Sequence, residues 1–224
     1  MLVAIEGIDG SGKGTQAQRL VSSLRRSGLR VRLLGFPRYA ETAFGRRVGE
    51  FLNGRFGALD QVHPLLVSLL FAGDRFESRP VLREALATND VVILDRYVAS
   101  NIAHQAAKAD GDERRELCDW IEQLEFGLYE LPRPDLVILL DLPVQQAQRL
   151  IARKSRRAYT DKPADLQEAD GGYLDRVREM YLQLASADPA WHTVAVMRDD
   201  QVRTVDDVAT EVESMVRAAL GSAV

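Results

Sequence analysis

The sequence predicts an α/β fold in which a parallel sheet is covered by helices. Two observations carry that prediction. Short apolar, partly β-branched runs alternate with long stretches of helical periodicity. A glycine-rich loop also joins the first apolar run to the first helical one, as in a strand–loop–helix unit that binds phosphate.

Taken in order, the first strand is Leu2–Glu6, and four more are read at 30–35, 91–94, 136–140 and 193–196. Their near-continuous apolar character suits parallel strands buried on both faces. Helical patterns cover 14–27, 43–53, 63–87, 98–127, 144–155, 167–187 and 204–220; in the first, Leu20, Val21 and Leu24 fall on one face. Pro132, Pro134 and Pro189 punctuate the approaches to the last two strands and mark turns, not domain boundaries. With no internal repeat and no low-complexity linker, residues 1–224 are expected to form a single domain around one sizeable core.

The bulk properties narrow the function. A net charge of −4 argues against a dominant surface for nucleic acid or anionic membrane. No run of about twenty apolar residues suggests a membrane span. The single cysteine, Cys118, excludes a disulfide within the chain, and no basic-then-apolar leader is read at the start, so a reducing cytoplasm is the expected location.

The loop itself is Gly7-Ile8-Asp9-Gly10-Ser11-Gly12-Lys13-Gly14-Thr15. Its glycines let backbone N–H groups curl around phosphate oxygens, the following helix N-terminus adds positive potential, and Lys13 neutralises the β/γ end of a nucleotide. Ser or Thr commonly follows the lysine and ligates Mg²⁺. Here Gly14 follows and Thr15 comes one later, so a carboxylate elsewhere is expected to hold an ion that keeps several waters readily.

In open parallel sheets ligands bind beyond the carboxyl ends of the strands, which directs attention to three segments. The third strand ends at Asp95-Arg96-Tyr97. A strand-terminal aspartate can orient Mg²⁺ or its waters, and the arginine beside it favours an anionic acceptor over water; a solvated surface pair is the plain alternative. Phe36-Pro37-Arg38-Tyr39 follows the second strand and reads as a pocket wall with an anion-binding group, or as an ordinary turn. Phe71 and Arg75 lie four apart in a helical stretch, so both can project from one face to stack on a base and address its carbonyl edge. Phe71 alone would read as core.

In this order, Ile5-Glu-Gly-Ile-Asp-Gly-Ser-Gly-Lys-Gly-Thr15, Phe36-Pro-Arg-Tyr39, Leu70-Phe-Ala-Gly-Asp-Arg75 and Asp95-Arg-Tyr-Val-Ala-Ser-Asn101 resemble the thymidylate kinase family over nearly the whole chain. The resemblance implies a P-loop fold with strand order 2-3-1-4-5, transfer of the γ-phosphoryl group of ATP to dTMP, a requirement for Mg²⁺, and a homodimer for which the 98–127 region offers a packing face. It also implies roles. Asp9 approaches the acceptor 3′-hydroxyl and the metal, Phe71 stacks on thymine, and Arg75 and Asn101 address its polar edge. Arg96 holds the acceptor phosphate with Arg38 nearby. Phe36 and Tyr39 line the pocket, and the Phe36–Pro37 bond is a candidate for the cis form. Gln105 matches the end of a family motif whose tyrosine position is His104 here, a departure that bears on how the sugar is selected.

Between the fourth strand and the 167–187 helix, Arg149, Arg153, Lys154, Arg156 and Arg157 form a basic cluster. On its own this is also a favourable helix end; beside a phosphate loop lacking arginine it resembles a nucleotide-kinase lid, at about 150–166, with Arg153 placed first to act on the transferring group. Asp165 and Glu168 match acidic positions that lie near the metal and the acceptor sugar in the family. The competing readings are another nucleoside monophosphate kinase and a regulatory nucleotide switch. The guanine-reading Asn-Lys-x-Asp of a GTPase does not occur.

Overall fold

The structure, a computed structural model, describes residues 1–59, 61–152 and 171–222. Five parallel strands, β1 (Leu2–Glu6), β2 (Val31–Gly35), β3 (Val91–Asp95), β4 (Leu136–Asp141) and β5 (Trp191–Ala195), form one sheet in the order β2-β3-β1-β4-β5. Around it run α1 (Lys13–Arg26), α2 (Ala43–Leu52), α3 (Pro64–Thr88), α4 (Val98–Ala106), α5 (Gly111–Glu122), α6 (Val144–Ile151), α7 (Gly171–Ala187) and α8 (Val205–Ser222). The expected strand order is therefore the observed one. Among the described residues, no helix is long and apolar enough to cross a membrane.

Alternation along β1 divides the core. Val3 and Ile5 point into the layer built from α1, α6, α7 and α8, while Leu2 and Ala4 point into the opposite layer beneath α3, α4 and α5. Helix α1 lies on the first layer because Ala17, Leu20, Val21 and Leu24 recur at helical spacing and are buried. Shortening one of them, as in Leu20→Ala, would cost about 2–5 kcal/mol through lost burial and a residual cavity. A third, smaller cluster joins Val48, Phe51 and Leu52 of α2 to Val67 of α3, with Tyr39 and Phe71 packed against it.

The structure departs from the sequence expectation in two places. The region read as one helix over 98–127 is broken: α4 ends at Ala106, Gly111 opens α5 with φ 55°, and a π-helix over Gln123–Leu128 continues α5. The Asp-Gly step at 110–111 is the turn signal, and helical periodicity on both sides masked it. A short antiparallel ribbon of β6 (Met197–Arg198) and β7 (Gln201–Val202) was not anticipated; Asp199 and Asp200 make its turn with φ 50° and 58°, the left-handed pair that a tight hairpin demands.

Register brings the chemistry together. Ile5 pairs with Asp95 and Glu6 with Leu139, so the loops after β1, β3 and β4 leave the same end of the sheet.

Candidate active site

The phosphate loop leaves β1 against β4. Gly7 has φ 140°, and a Cβ there would meet the Leu140 carbonyl oxygen at 2.6 Å, so only glycine permits this close passage. The loop delivers Lys13 to the first position of α1, where its Nζ donates to the Ile8 carbonyl at 2.9 Å. Burial lowers the Lys13 pKa to about 8, helped by the nearby Arg96 guanidinium and opposed by Asp9 and Asp95. A buried ammonium held by a single carbonyl is poised for an anion.

Asp95 ends β3 directly beside this helix start. A Cβ on Gly14 would lie 3.0 Å from Asp95 Oδ2. A side chain on the residue after the lysine would therefore crowd this carboxylate.

Arg96 follows with φ 68°, a left-handed conformation uncommon for a side chain of this size. The turn carries its guanidinium beneath the loop, where Nη2 reaches Asp9 Oδ1 at 2.5 Å and Nη1 donates to Ser100 Oγ at 3.1 Å. Beneath it, Glu6 is fully buried and accepts from the Tyr97 N–H at 2.7 Å, the Ser100 hydroxyl at 2.6 Å and the Tyr181 hydroxyl at 3.2 Å. Burial raises the Glu6 pKa, while Ser100 and Arg96 oppose that rise.

Two cavities meet at Asp9 and Arg96. The open cleft along the phosphate loop is lined by Gly10, Gly12, Lys13, Gly14, Arg38 and Asp95 as well as those two. The second is walled by Phe36, Tyr39, Phe71, Arg75, Asn101 and Gln105 together with Asp9, Arg96, Ser100 and His104. All acceptor-site residues expected from the sequence therefore line the second cavity except Arg38, which lines the first. Arg38 is anchored there by its N–H on Asp74 Oδ2 at 2.9 Å and its Nη1 on Ser78 Oγ at 3.1 Å. The Phe36–Pro37 peptide is cis.

The far end of the second cavity is polar and only partly satisfied. Arg75 Nε and Nη2 are taken by both carboxylate oxygens of Glu125, the latter at 2.7 Å. Asn101 Nδ2 donates to the Ser68 carbonyl at 3.0 Å and to Glu125 Oε1 at 2.9 Å. Asn101 Oδ1 and Gln105 Nε2 are buried without a hydrogen-bond partner among the described residues. One unpaired acceptor and one unpaired donor in the wall of a pocket are groups that a ligand can satisfy.

His104 is fixed in one tautomer. The Tyr173 hydroxyl donates its only proton to the His104 carbonyl at 2.8 Å, so His104 Nδ1 must donate to that hydroxyl, at 3.0 Å. Nε2 is then the unprotonated nitrogen. Burial, reinforced by Arg96, lowers the His104 pKa to about 3, so the ring stays neutral.

The family model described as thymidylate kinase matches residues 5–206. The chain belongs to the thymidylate kinase family. Curated relatives agree. The thymidylate kinase of Mycobacterium tuberculosis is 35% identical over 83% of this chain and 86% of its own. The human thymidylate kinase is 30% identical over 95% and 93%. The probable thymidylate kinase of Thermococcus onnurineus is 34% identical over 98% of each. The solved thymidylate kinase of Candida albicans superposes with a TM-score of 0.73 at 28% identity, covering 97% of this chain and 91% of that one.

Set within the thymidylate kinase family, some sequence expectations fall outside the described residues: Arg153, Lys154, Arg156, Arg157, Asp165 and Glu168 all do. Other residues of the site were not singled out from sequence. Glu6, Ser100, Glu125, Tyr173 and Tyr181 act through partners far along the chain. Only Glu6, a carboxylate closing an apolar strand just before the phosphate loop, carried a local signal.

Proposed function

We propose that the protein transfers the γ-phosphoryl group of ATP to dTMP, giving dTDP and ADP. The observation that carries this reading is the junction at Asp9 and Arg96 between a phosphate-loop cleft and an aromatic-walled cavity. A donor triphosphate in the cleft and an acceptor phosphate at Arg96 would bring the reacting groups together, and such transfers depend on positioning and electrostatics more than on a base.

The cavity suits a thymine base. Phe71 offers a stacking face. Asn101 Oδ1 can accept from N3–H, and Arg75 Nη1, the guanidinium nitrogen not taken by Glu125, can donate to the 4-carbonyl. Arg96 would exchange its Asp9 partner for, or share it with, the acceptor phosphate. On the donor side Lys13, released from the Ile8 carbonyl, would meet the β/γ-phosphates.

Mg²⁺ is part of this proposal. The donor set fits an ion shared between few protein oxygens and phosphates: Asp95 beside the first turn of α1, with Asp9 across the cleft. Bound there, the ion would withdraw charge from the phosphates. Arg153 as a lid arginine, and Asp165 and Glu168 near the metal, remain assignments by family resemblance.

The partners proposed are ATP, dTMP and a second copy of the chain, in the cytoplasm. Phe44, Phe76 and Leu128, on α2, α3 and the π-helix, are exposed apolar side chains on elements that pack side by side. Sedimentation at about twice the 25.0 kDa chain mass would support the dimer, and a monomer would refute it.

ADP release with ATP and Mg²⁺ tests the reaction, with dTMP, dUMP, UMP, dCMP and AMP compared as acceptors. Preference for dTMP is the expected outcome. Preference for another monophosphate would overturn the base assignment, and turnover independent of any acceptor would overturn the kinase reading.

A further inference from the structure

We infer that Glu125 is a positioning residue that makes the base pocket selective for an N3–H donor, by holding the Asn101 amide with its oxygen turned into the cavity. The amide has two orientations, and its surroundings choose one. Glu125 Oε1 and the Ser68 carbonyl both contact the same Asn101 atom, at 2.9 and 3.0 Å. A carboxylate paired to arginine and a carbonyl are acceptors only, so that atom must be the NH₂ group. The oxygen is left over, buried and unpaired, in the cavity wall.

The consequence is a sign. Thymine and uracil present N3–H, which the Asn101 oxygen accepts. Cytosine presents a lone pair at N3, which would face that buried oxygen, and two facing acceptors with no proton between them are heavily disfavoured. Glu125 also holds Arg75 through Nε and Nη2, leaving Nη1 as the nitrogen able to face the pocket that Arg75 lines. One carboxylate therefore sets both base-reading groups.

Its own placement comes from the π-helix. Gln123–Leu128 winds more widely than an α-helix. The turn is closed by the Tyr129 N–H on the Leu124 carbonyl at 2.8 Å and the Leu131 N–H on the Glu125 carbonyl at 3.0 Å. Glu125 is fully buried there, whereas Glu122, on α5 just before it, remains exposed enough to pair with Arg133.

The inference rests on dTMP being the acceptor, and wild-type turnover of dTMP tests that separately. The decisive variant is Glu125→Gln. Oε1 accepts from both Arg75 Nη2 and Asn101 Nδ2, so an amide NH₂ placed there turns a donor on both of them, and one placed at Oε2 turns a donor on Arg75 Nε. Either way part of the Arg75 fork is broken, and in the first orientation the new donor also opposes the Asn101 orientation favoured by the Ser68 carbonyl. The expected result is a fall of about tenfold or more in the ratio of kcat/KM for dTMP to that for dCMP, expressed chiefly in KM. A merely structural role would lower kcat for both nucleotides and leave the ratio unchanged, which would overturn the inference. If Glu125→Gln lacks a cooperative melting transition, Glu125→Asp decides, since it keeps a carboxylate for Arg75 while withdrawing it from Asn101 by one methylene. A similar fall in the ratio supports the assignment, and an unchanged ratio overturns it.

Discussion

Asp95 Oδ2 lies 3.0 Å from the point at which a Cβ on Gly14 would project. The carboxylate ending β3 and the first turn of α1 are thus in contact, and the residue after the lysine must be small. Gly14→Ser would force the carboxylate aside by a few tenths of an ångström. The protein should still fold, but the Mg²⁺ concentration giving half-maximal activity should rise several-fold. A titration of activity against Mg²⁺ checks this, and an unchanged midpoint would remove Asp95 from the metal assignment.

Arg96 joins the two cavities through Asp9 and Ser100. Arg96→Ala should lower kcat/KM for dTMP by about 10²–10³, the scale for losing one preorganised stabilising group. Equilibrium ATP binding should change only a few-fold, since Lys13 and the loop backbone remain. Near-normal dTMP kinetics in this variant would rule out Arg96 as the acceptor-phosphate ligand.

Lys13 gives a pH dependence with a definite sign. Its pKa in the unliganded fold is about 8, below the usual 10.5, because burial disfavours the ammonium. The unfolded chain therefore holds more protons between those values, and the Lys13 contribution makes stability rise with pH across that window. Binding behaves oppositely. A triphosphate needs the charged form, so ATP affinity should fall as pH passes about 8, with proton uptake on binding there. Calorimetry at about pH 8.5, inside that window, in buffers of different ionisation enthalpy would detect that uptake; its absence would count against Lys13 as the titrating group.

His104, with its pKa held near 3, should contribute nothing to the pH profile between about 5 and 9. His104→Gln should leave the acid limb of kcat/KM where it is, while changing the relative use of deoxyribose and ribose acceptors through the loss of Nε2. An acid limb that moves with this substitution would mean that the ring is charged in the working enzyme.

The sheet and the phosphate loop were legible because their signals are local. Strands buried on both faces read as continuous apolar runs, and the glycines and lysine follow one another directly. Phe71 and Arg75 were legible as a pair through helical spacing. Glu125 was not, since its partner Arg75 is 50 residues away and an acidic residue in a helical stretch reads as solvated. Tyr173 and Tyr181 were hidden in the same way: on a helix they look like core, and their hydroxyl partners His104 and Glu6 lie on other elements. The break before α5 was written as Asp110-Gly111 but lay between two stretches of similar periodicity.

The central strand β1 is bonded on both sides, packed between both large clusters, and carries the phosphate loop. Its amides should exchange with solvent deuterium only through global unfolding, among the slowest in the chain. The loop is therefore bolted to the part of the molecule that opens last. The acceptor cavity leans instead on the four-residue cluster of α2 and α3, with Tyr39 and Phe71 at its edge. The wall carrying Tyr39 and Phe71 is thus expected to open before the strand that carries the loop, and faster deuterium exchange in α2 and α3 than in β1 would show it.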